Sequence, residues 1–508
     1  MSHGVHRRNE APGRRGRPGN RRLARLALAG LLIGSSGTAL AKEPTRAELE
    51  DRIRRLERII SEAGLDGPKA KRTPPRAGVA AEAAPPAVDQ QQVEAIVDDK
   101  LKKQKVLAGW KDGFFLESPN GDFKLKLRGY AQAHGRFFPN EDGDTGTDSF
   151  FMRRVRPIFE GTVYKYFDFR IMPDFGGGTA TLQDGYMDVK YFPYAKFRAG
   201  KFKPPFSIER LQSGADLLFV ERSIANNLAP NRDVGLMLYG DFLEGSIGYQ
   251  AGVFNGTVDG SNSDGDTTSD KEGAGRIFAE PFKATDIEPL KGLGFGVAGT
   301  YGRLKKADDL TTLAYRTAGR SRFFRLPGST SSTSPITQLA DGHKGRVAPQ
   351  AYWYWGPFGA MGEYIRNDEG VRRSATDDGV TTVTDGDFVN DGWFIQASYV
   401  LTGEDASYRN VVPIDAFDPR NGRWGAFEVA LRGSRLNVDD DLFDEGFADR
   451  DESSSDTWAG TVGLNWYLNK NFKFQLNYEY TSFDDHIEFG NKVRDHENVI
   501  LGNCQISY

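Results

Sequence analysis

Cations recur at every second position where the long C-terminal part of the chain begins. Lys124, Lys126 and Arg128 alternate with Phe123, Leu125 and Leu127, and Arg154 and Arg156 flank Val155. A two-residue period sends successive side chains to opposite faces of an extended strand, so the cations share one face and the apolar residues the other. Arg170, Lys190, Lys196, Arg198, Arg276, Arg346 and Arg432 sit on the polar faces of similar later segments. Adjacent strands lie roughly 4.8 Å apart, so such residues can stack into a ladder. The chemistry of a cation ladder is anion recognition: guanidinium grips an oxyanion through two parallel hydrogen bonds, while ammonium acts as a mobile point charge.

Other chemistry finds little support. Gly294-Phe-Gly-Val-Ala-Gly299 has nucleotide-loop spacing but lies in a two-residue alternation with no helix after it. His496-Glu-Asn-Val-Ile500 lacks the second histidine of a zinc protease motif, and the 6 histidines are scattered. Asp259-Gly-Ser-Asn-Ser-Asp-Gly265 is close to a calcium loop but places Gly260 at the first ligand position, so it reads as a solvated loop. The single cysteine, Cys504, excludes a disulfide scaffold or thiolate cluster. No catalytic group, metal or cofactor is expected.

Strands must position these cations. Phe427–Arg432, Val462–Leu468 and Phe472–Tyr480 repeat the alternation of an aromatic or aliphatic face with a polar one. Glycine, at 59 of 508 residues without a three-residue period, indicates many turns. Connections alternate between tight turns (192–195, 356–359, 468–471) and long polar loops (256–272, 305–344, 369–390, 437–457). Short turns at one end and long loops at the other mark a transmembrane β-barrel of the outer membrane. Strand centres near 128, 156, 171, 186, 199, 237, 250, 277, 298, 350, 363, 396, 429, 463, 477 and 502 give an all-β, 16-stranded antiparallel barrel over residues 113–508. The final strand ends on an aromatic, Tyr508, and parity puts Cys504 on the lipid face.

The N-terminus supplies the route outward. Eight arginines between residues 7 and 25 precede the apolar run Leu26–Ile33 and the small-residue site Ala39-Leu-Ala41, a secretory signal peptide over 1–41. Its removal takes eight arginines and one glutamate, so the net charge of −4 becomes about −11 and nucleic-acid binding loses its electrostatic support. Leu49, Ile53, Leu56 and Ile60 follow coiled-coil spacing within a short helix over 42–65, which either self-associates across subunits or is a solvated amphipathic helix. Residues 66–112 read as a Pro/Ala-rich linker, with a weak helical stretch over 93–107.

Phe150-Phe-Met-Arg-Arg-Val-Arg-Pro157, Gly200-Lys-Phe-Lys-Pro-Pro-Phe206 and Asn226-Asn-Leu-Ala-Pro-Asn-Arg-Asp-Val-Gly-Leu236 resemble the phosphate-selective porin family of O and P type. Leu401-Thr-Gly-Glu404 and the block Trp458–Tyr508 extend the resemblance over the whole barrel. It implies a homotrimer of sixteen-stranded channels, an inward third extracellular loop and basic residues along an anion path. The loop after the fifth strand, 204–231, is long and carries Arg210 and Arg222, which agrees with a constriction loop. Residues 403–422 depart from the pattern: they fall on the periplasmic side but are too long for a turn, so either the strand count slips there or the chain makes an excursion.

The expected function is an anion-preferring porin in outer-membrane lipid, taking phosphate or related oxyanions. Its path would comprise Lys124, Lys126, Arg128, Arg154, Arg156, Arg170, Arg198, Arg276, Arg346 and Arg432. An unselective porin competes with it, because Glu160, Asp168, Asp188, Glu428 and Glu479 also occupy polar faces. A barrel enzyme would need a nucleophile grouping, and none stands out. Lys201 and Lys203 have the opposite parity to Arg198, which works only if Gly200 bulges or the strand has ended.

Overall fold

A computed structural model describes residues 106–139, 146–262, 264–265, 269–489 and 492–508. The expected signal peptide, coiled-coil helix and linker up to residue 105 lie outside the described residues. Sixteen antiparallel strands close into one barrel, from Lys124–Phe137 to Lys492–Ser507. Each of the sixteen expected strand centres falls inside an observed strand.

The first strand pairs with the sixteenth from Tyr130 to Phe137, which closes the cylinder. Gly129 and Tyr508 exchange both backbone hydrogen bonds, at 2.8 and 2.9 Å. A Cβ on Gly129 would lie 2.6 Å from the Arg156 carbonyl oxygen and 2.9 Å from the Tyr508 hydroxyl, so glycine admits the terminal aromatic at the seam. Below the seam, Lys124–Leu127 pairs with a hairpin formed by Leu107–Trp110 and Phe114–Glu117. Leu107 therefore opens a strand, where sequence suggested the end of a helix. Runs of four residues are too short for a two-residue period to stand out.

Leu125, Phe159, Ile171, Leu238, Ile395, Leu431 and Leu476 face outward and are exposed, while Gln132, Asn465 and Glu479 of the opposite parity are buried inside. This inverts a soluble protein's pattern, because lipid takes the place of a core. Tyr166 with Tyr191 (4.5 Å between ring centroids), Phe192 with Tyr194 (5.4 Å) and Phe427 with Trp466 (5.7 Å) stack near the short turns, as in an interfacial girdle. Leu431→Arg is expected to destabilise the barrel by roughly 2–4 kcal/mol, the cost of a cation near the bilayer midplane. Urea unfolding from lipid vesicles measures it, and an unchanged midpoint would place Leu431 off the lipid face.

Two connections differ from the sequence reading or settle it. Residues 369–390 are not a loop: Phe358–Asp377 and Val380–Val400 run on as a ribbon joined at Asp378-Gly379, with φ of 46° and 79°. Water reaches the outer part of the ribbon, 372–387, so no polar and apolar alternation marks it there; Arg372 pairs instead with Asp385 and Asp341. Residues 401–425 are a periplasmic excursion and the strand count does not slip. The Ala406 N–H donates to the Gly356 carbonyl (2.7 Å) and the Phe417 N–H to Leu468 (2.6 Å), both at short turns.

The apolar core lies inside the barrel. Phe206, Ile224 and Leu228 of the loop 203–232 pack with Tyr315, Phe323 and Phe324 of the loop 310–335 and Phe443 and Phe447 of the loop 438–455. Phe388, Leu436 and Phe483, on the twelfth, thirteenth and fifteenth strands, join the same cluster. Loops thus fill that side of the barrel and leave the opening against the early strands.

Candidate functional site

The third extracellular loop, residues 203–232, folds inward because the wall holds its backbone. The Gln132 and Gln505 amides donate to the carbonyls of Gly214 (2.9 Å) and Ala215 (3.0 Å). Asn477 accepts from the Val220 N–H (2.7 Å), while Asn465 and Gln475 donate to the Leu218 carbonyl. At its start the short helix Ile208–Leu211 is capped by Ser207, and Glu363 accepts from the Ser207 hydroxyl and the Ile208 N–H. Inward amides on alternate strand positions are what an irregular segment inside a barrel requires, since its carbonyls would otherwise go unpaired.

Two adjoining cavities of about 410 and 390 Å³ remain beside this loop, sharing Arg153, Arg154, Arg210, Arg222, Asn231 and Arg320 in their walls. Together they are lined by nine cations, these five arginines with Arg156, Lys203, Arg232 and Arg316, against three carboxylates: Asp174, Glu221 and Asp259. Each carboxylate is already engaged. Asp174 accepts from Arg156 (2.8 Å), Glu221 from Arg153 (2.5 Å), and Asp259 from Arg346 (2.7 Å). Arg232 pairs with Asp184 (2.9 Å).

Lys203, Arg210, Arg222 and Arg320 form no ion pair among the described residues. Lys203 donates to the backbone carbonyls of Leu211 and Gln212 (3.2 and 2.9 Å), Arg210 to that of Asn226 (2.8 Å), and Arg222 to those of Glu209 and Gln212 (3.0 and 2.8 Å). Burial lowers Arg210 to about 10 and Arg222 to about 9, with the Glu209 carboxylate opposing it and neighbouring cations adding to it. Burial likewise pushes Lys203 well below its usual value, with Arg232 and Arg222 as the repelling groups. Burial also acts on Glu221, but Arg153 and Arg154 outweigh it and hold the carboxyl well below the usual range. Glu209 acts on Arg210 and Arg222 but also faces Arg432 (3.5 Å), so the loop keeps an excess of positive charge, and a small anion entering there would relieve it.

Toward the turn end the cations are paired. Arg128 grips Glu160 through two bonds (2.9 and 2.6 Å), Glu160 meets Arg170 (3.2 Å), and Arg170 meets Asp184 (3.1 Å). Arg198 is bidentate on Asp188 (2.8 Å) and lies 3.8 Å from the centre of the Tyr186 ring. Lys124 pairs with Glu117 (3.3 Å), and Lys126 follows on the same face of the strand. These residues share the early wall, as parity suggests, but as a ladder of alternating sign.

Of the residues read from sequence, Arg154, Arg156, Arg210 and Arg222 meet at the cavities. Arg276, Arg346 and Arg432 stand elsewhere. Arg276 donates to Gln350 (2.8 Å), Arg432 is buried against Glu479 (3.1 Å) behind the loop, and Arg346 is buried between Asp259 and Glu272. Strand parity gives the inward face, but not whether an inward loop covers it. Sequence reasoning missed Arg153, Arg232, Arg316 and Arg320. Arg153 faces in because the register shifts between Gln132 and Ala133, which leaves it without an opposite residue. Arg316 and Arg320 lie in a loop that reads as solvated. Lys203 reaches the cavity after Gly200, which sits at φ +128° with the pairing register unbroken, a local twist in place of a bulge.

Comparison with known proteins follows this geometry. A family model described as phosphate-selective porin O and P matches residues 123–499. Porin O of Pseudomonas aeruginosa is 27% identical over 396 residues, covering 72% of this chain and 85% of that protein. Among solved structures, a Salmonella typhi OmpF complex with daunomycin aligns with a TM-score of 0.47 at 11% identity, over 79% of this chain and 100% of the other. An anion-selective porin from Comamonas acidovorans aligns with a TM-score of 0.44 at 11% identity, over 76% and 100%.

Proposed function

This chain belongs to the phosphate-selective porin O and P family of outer-membrane channels, and from that premise we propose that it passes anions in preference to cations, with phosphate or a related oxyanion as its substrate. The observation that carries this reading is the excess of cations at the third loop, where Lys203, Arg210, Arg222 and Arg320 form no ion pair among the described residues. Charges at a narrow, low-dielectric passage focus the field and enrich counter-ions there. The paired ladder of Arg128, Glu160, Arg170 and Asp184 contributes polarity with little net sign, as an unselective lumen would. The sign of the channel is thus set at the loop and not along the whole wall. The assembly is a homotrimer and the protein a passive conduit without catalytic activity.

Single-channel reversal potentials in a potassium chloride gradient test the reading. Reversal toward the chloride equilibrium potential, with phosphate blocking the chloride current, is the expected result; reversal on the potassium side overturns it. A pH series adds a second check. A cation whose pKa is lowered loses its charge at a lower pH than a free lysine, whose ordinary value is 10.5. Chloride preference is therefore expected to decline with rising pH before 10.5 is reached, and Lys203→Arg to remove that part of the decline. Identical pH profiles for the two proteins would exclude Lys203 from the path.

A further inference from the structure

The periplasmic excursion does more than join two strands. Its inner part turns back into the barrel and meets the third loop from below. The Tyr408 hydroxyl donates to the Ile208 carbonyl (2.7 Å), and the Gln212 amide donates to the Tyr408 carbonyl (2.6 Å). The Asn410 amide donates to the Ala215 carbonyl (3.0 Å) and to Asp216 (3.1 Å), and its oxygen accepts from Lys473 (2.8 Å). Ala406 and Val411 are buried with Val400, Ala426 and Tyr467, which anchors the segment to the wall.

Gln212 is the link. Its backbone carbonyl accepts from both Lys203 (2.9 Å) and Arg222 (2.8 Å), two of the cations outside any ion pair among the described residues. Its side chain donates to the Tyr408 backbone carbonyl, and the Gln212 backbone N–H donates to the Ile208 carbonyl (3.2 Å) that the Tyr408 hydroxyl also holds, so the hydroxyl bears on the Gln212 backbone. Strand side chains secure the loop from the wall, while 406–411 bears on the turn that aims these two cations.

We propose that residues 406–411 are a periplasmic buttress of the selectivity filter, in which Tyr408 and Asn410 act as positioning residues that set anion preference through Gln212, Lys203 and Arg222. The proposal rests on the reading of the third loop as the selecting element. A long turn that merely fills space would pack against the wall. It would not need four polar contacts to backbone and side chains of one loop.

The test uses two substitutions that change no charge, Tyr408→Phe and Asn410→Leu, in the full-length protein reconstituted in planar bilayers. Heat-modifiable mobility and oligomer size first establish that the barrel is intact. Each variant is expected to lower the chloride-to-potassium permeability ratio by roughly threefold, the scale of losing one or two net hydrogen bonds, while total conductance holds or rises. In a Lys203→Met, Arg222→Gln background the same substitutions are expected to change the ratio no further, because the positioned groups are gone. If the background pair itself leaves the wild-type ratio unchanged, the loop reading fails. If the pair lowers the ratio but Tyr408→Phe and Asn410→Leu do not, or act equally in both backgrounds, the buttress is overturned and the loop reading stands. Should Asn410→Leu fail to assemble, Tyr408→Phe, which removes one hydroxyl, carries the test.

Discussion

Replacing Arg210 and Arg222 together by glutamine is expected to lower the chloride-to-potassium permeability ratio about tenfold and to abolish phosphate block, with the barrel still folded. Two unit charges about 6–10 Å apart interact by roughly 2–3 kcal/mol at an effective dielectric of about 20, and a tenfold change in permeability corresponds to ~1.4 kcal/mol. Either guanidinium alone would be enough to supply that, because neither is held in an ion pair and the one carboxylate acting on both, Glu209, also faces Arg432 (3.5 Å). Screening does not erase the effect, since buried and partly buried charges are screened much less than exposed ones. The lysine pair at the same positions keeps the charge and loses the bidentate geometry, so it should retain chloride preference and weaken phosphate block. Reversal potentials of the two double variants separate these outcomes. An unchanged ratio in the glutamine pair would leave an unselective porin.

The same substitution at Arg154 is expected to act differently. Its guanidinium donates to Gln132 (2.7 Å) and stands 3.6 Å from Glu221, which Arg153 also holds. Removing it leaves Glu221 still paired, so the field at the loop changes less. The contrast between a paired and an unpaired arginine in one cavity separates local field from total lumen charge.

The barrel was legible because lipid enforces the alternation. Every spanning strand must show apolar residues outward, and a one-residue slip would bury the wrong set, so the period survives along the chain. Lumenal residues obey no comparable rule. Arg128 and Arg170 face inward as parity requires, yet their partners Glu160 and Asp184 come from neighbouring strands, and pairing depends on register that sequence does not display. The inward loops were legible only in part. Arg210 and Arg222 stood out because their loop is long and follows the fifth strand. Phe323 and Phe324, fully buried inside the barrel, sit among Ser, Arg and Gly residues with no periodicity to mark them. Arg320 enters the cavity by that same fold-back, so its role follows from tertiary packing alone.

Arg346 shows what such packing does to an inward cation. Its side chain is fully buried and ties three strands to a loop: Asp259 (2.7 Å) from the loop after the seventh strand, Glu272 (2.6 Å) and Thr300 (3.3 Å) from the next two, and the Thr257 carbonyl (3.1 Å). Asp259 in turn accepts from Tyr315 (3.0 Å) and Asn367 (2.8 Å), which brings the fifth loop into the network. Arg346→Leu keeps much of the volume but strands two carboxylates, with only Lys344, at 3.7 Å from Asp259, left nearby. Breaking a buried pair from one side costs roughly 3–5 kcal/mol. The urea midpoint should fall accordingly, with protease cutting first in residues 255–271 and 310–335 while the strand ladder persists. Because Asp259 also borders the cavity beside Arg210 and Arg222, its unmasked charge should reduce chloride preference as well. Adding Asp259→Asn removes that charge, so the double variant is expected to recover selectivity and part of the stability. A path residue would behave in the opposite way, with stability intact and no rescue by Asp259→Asn.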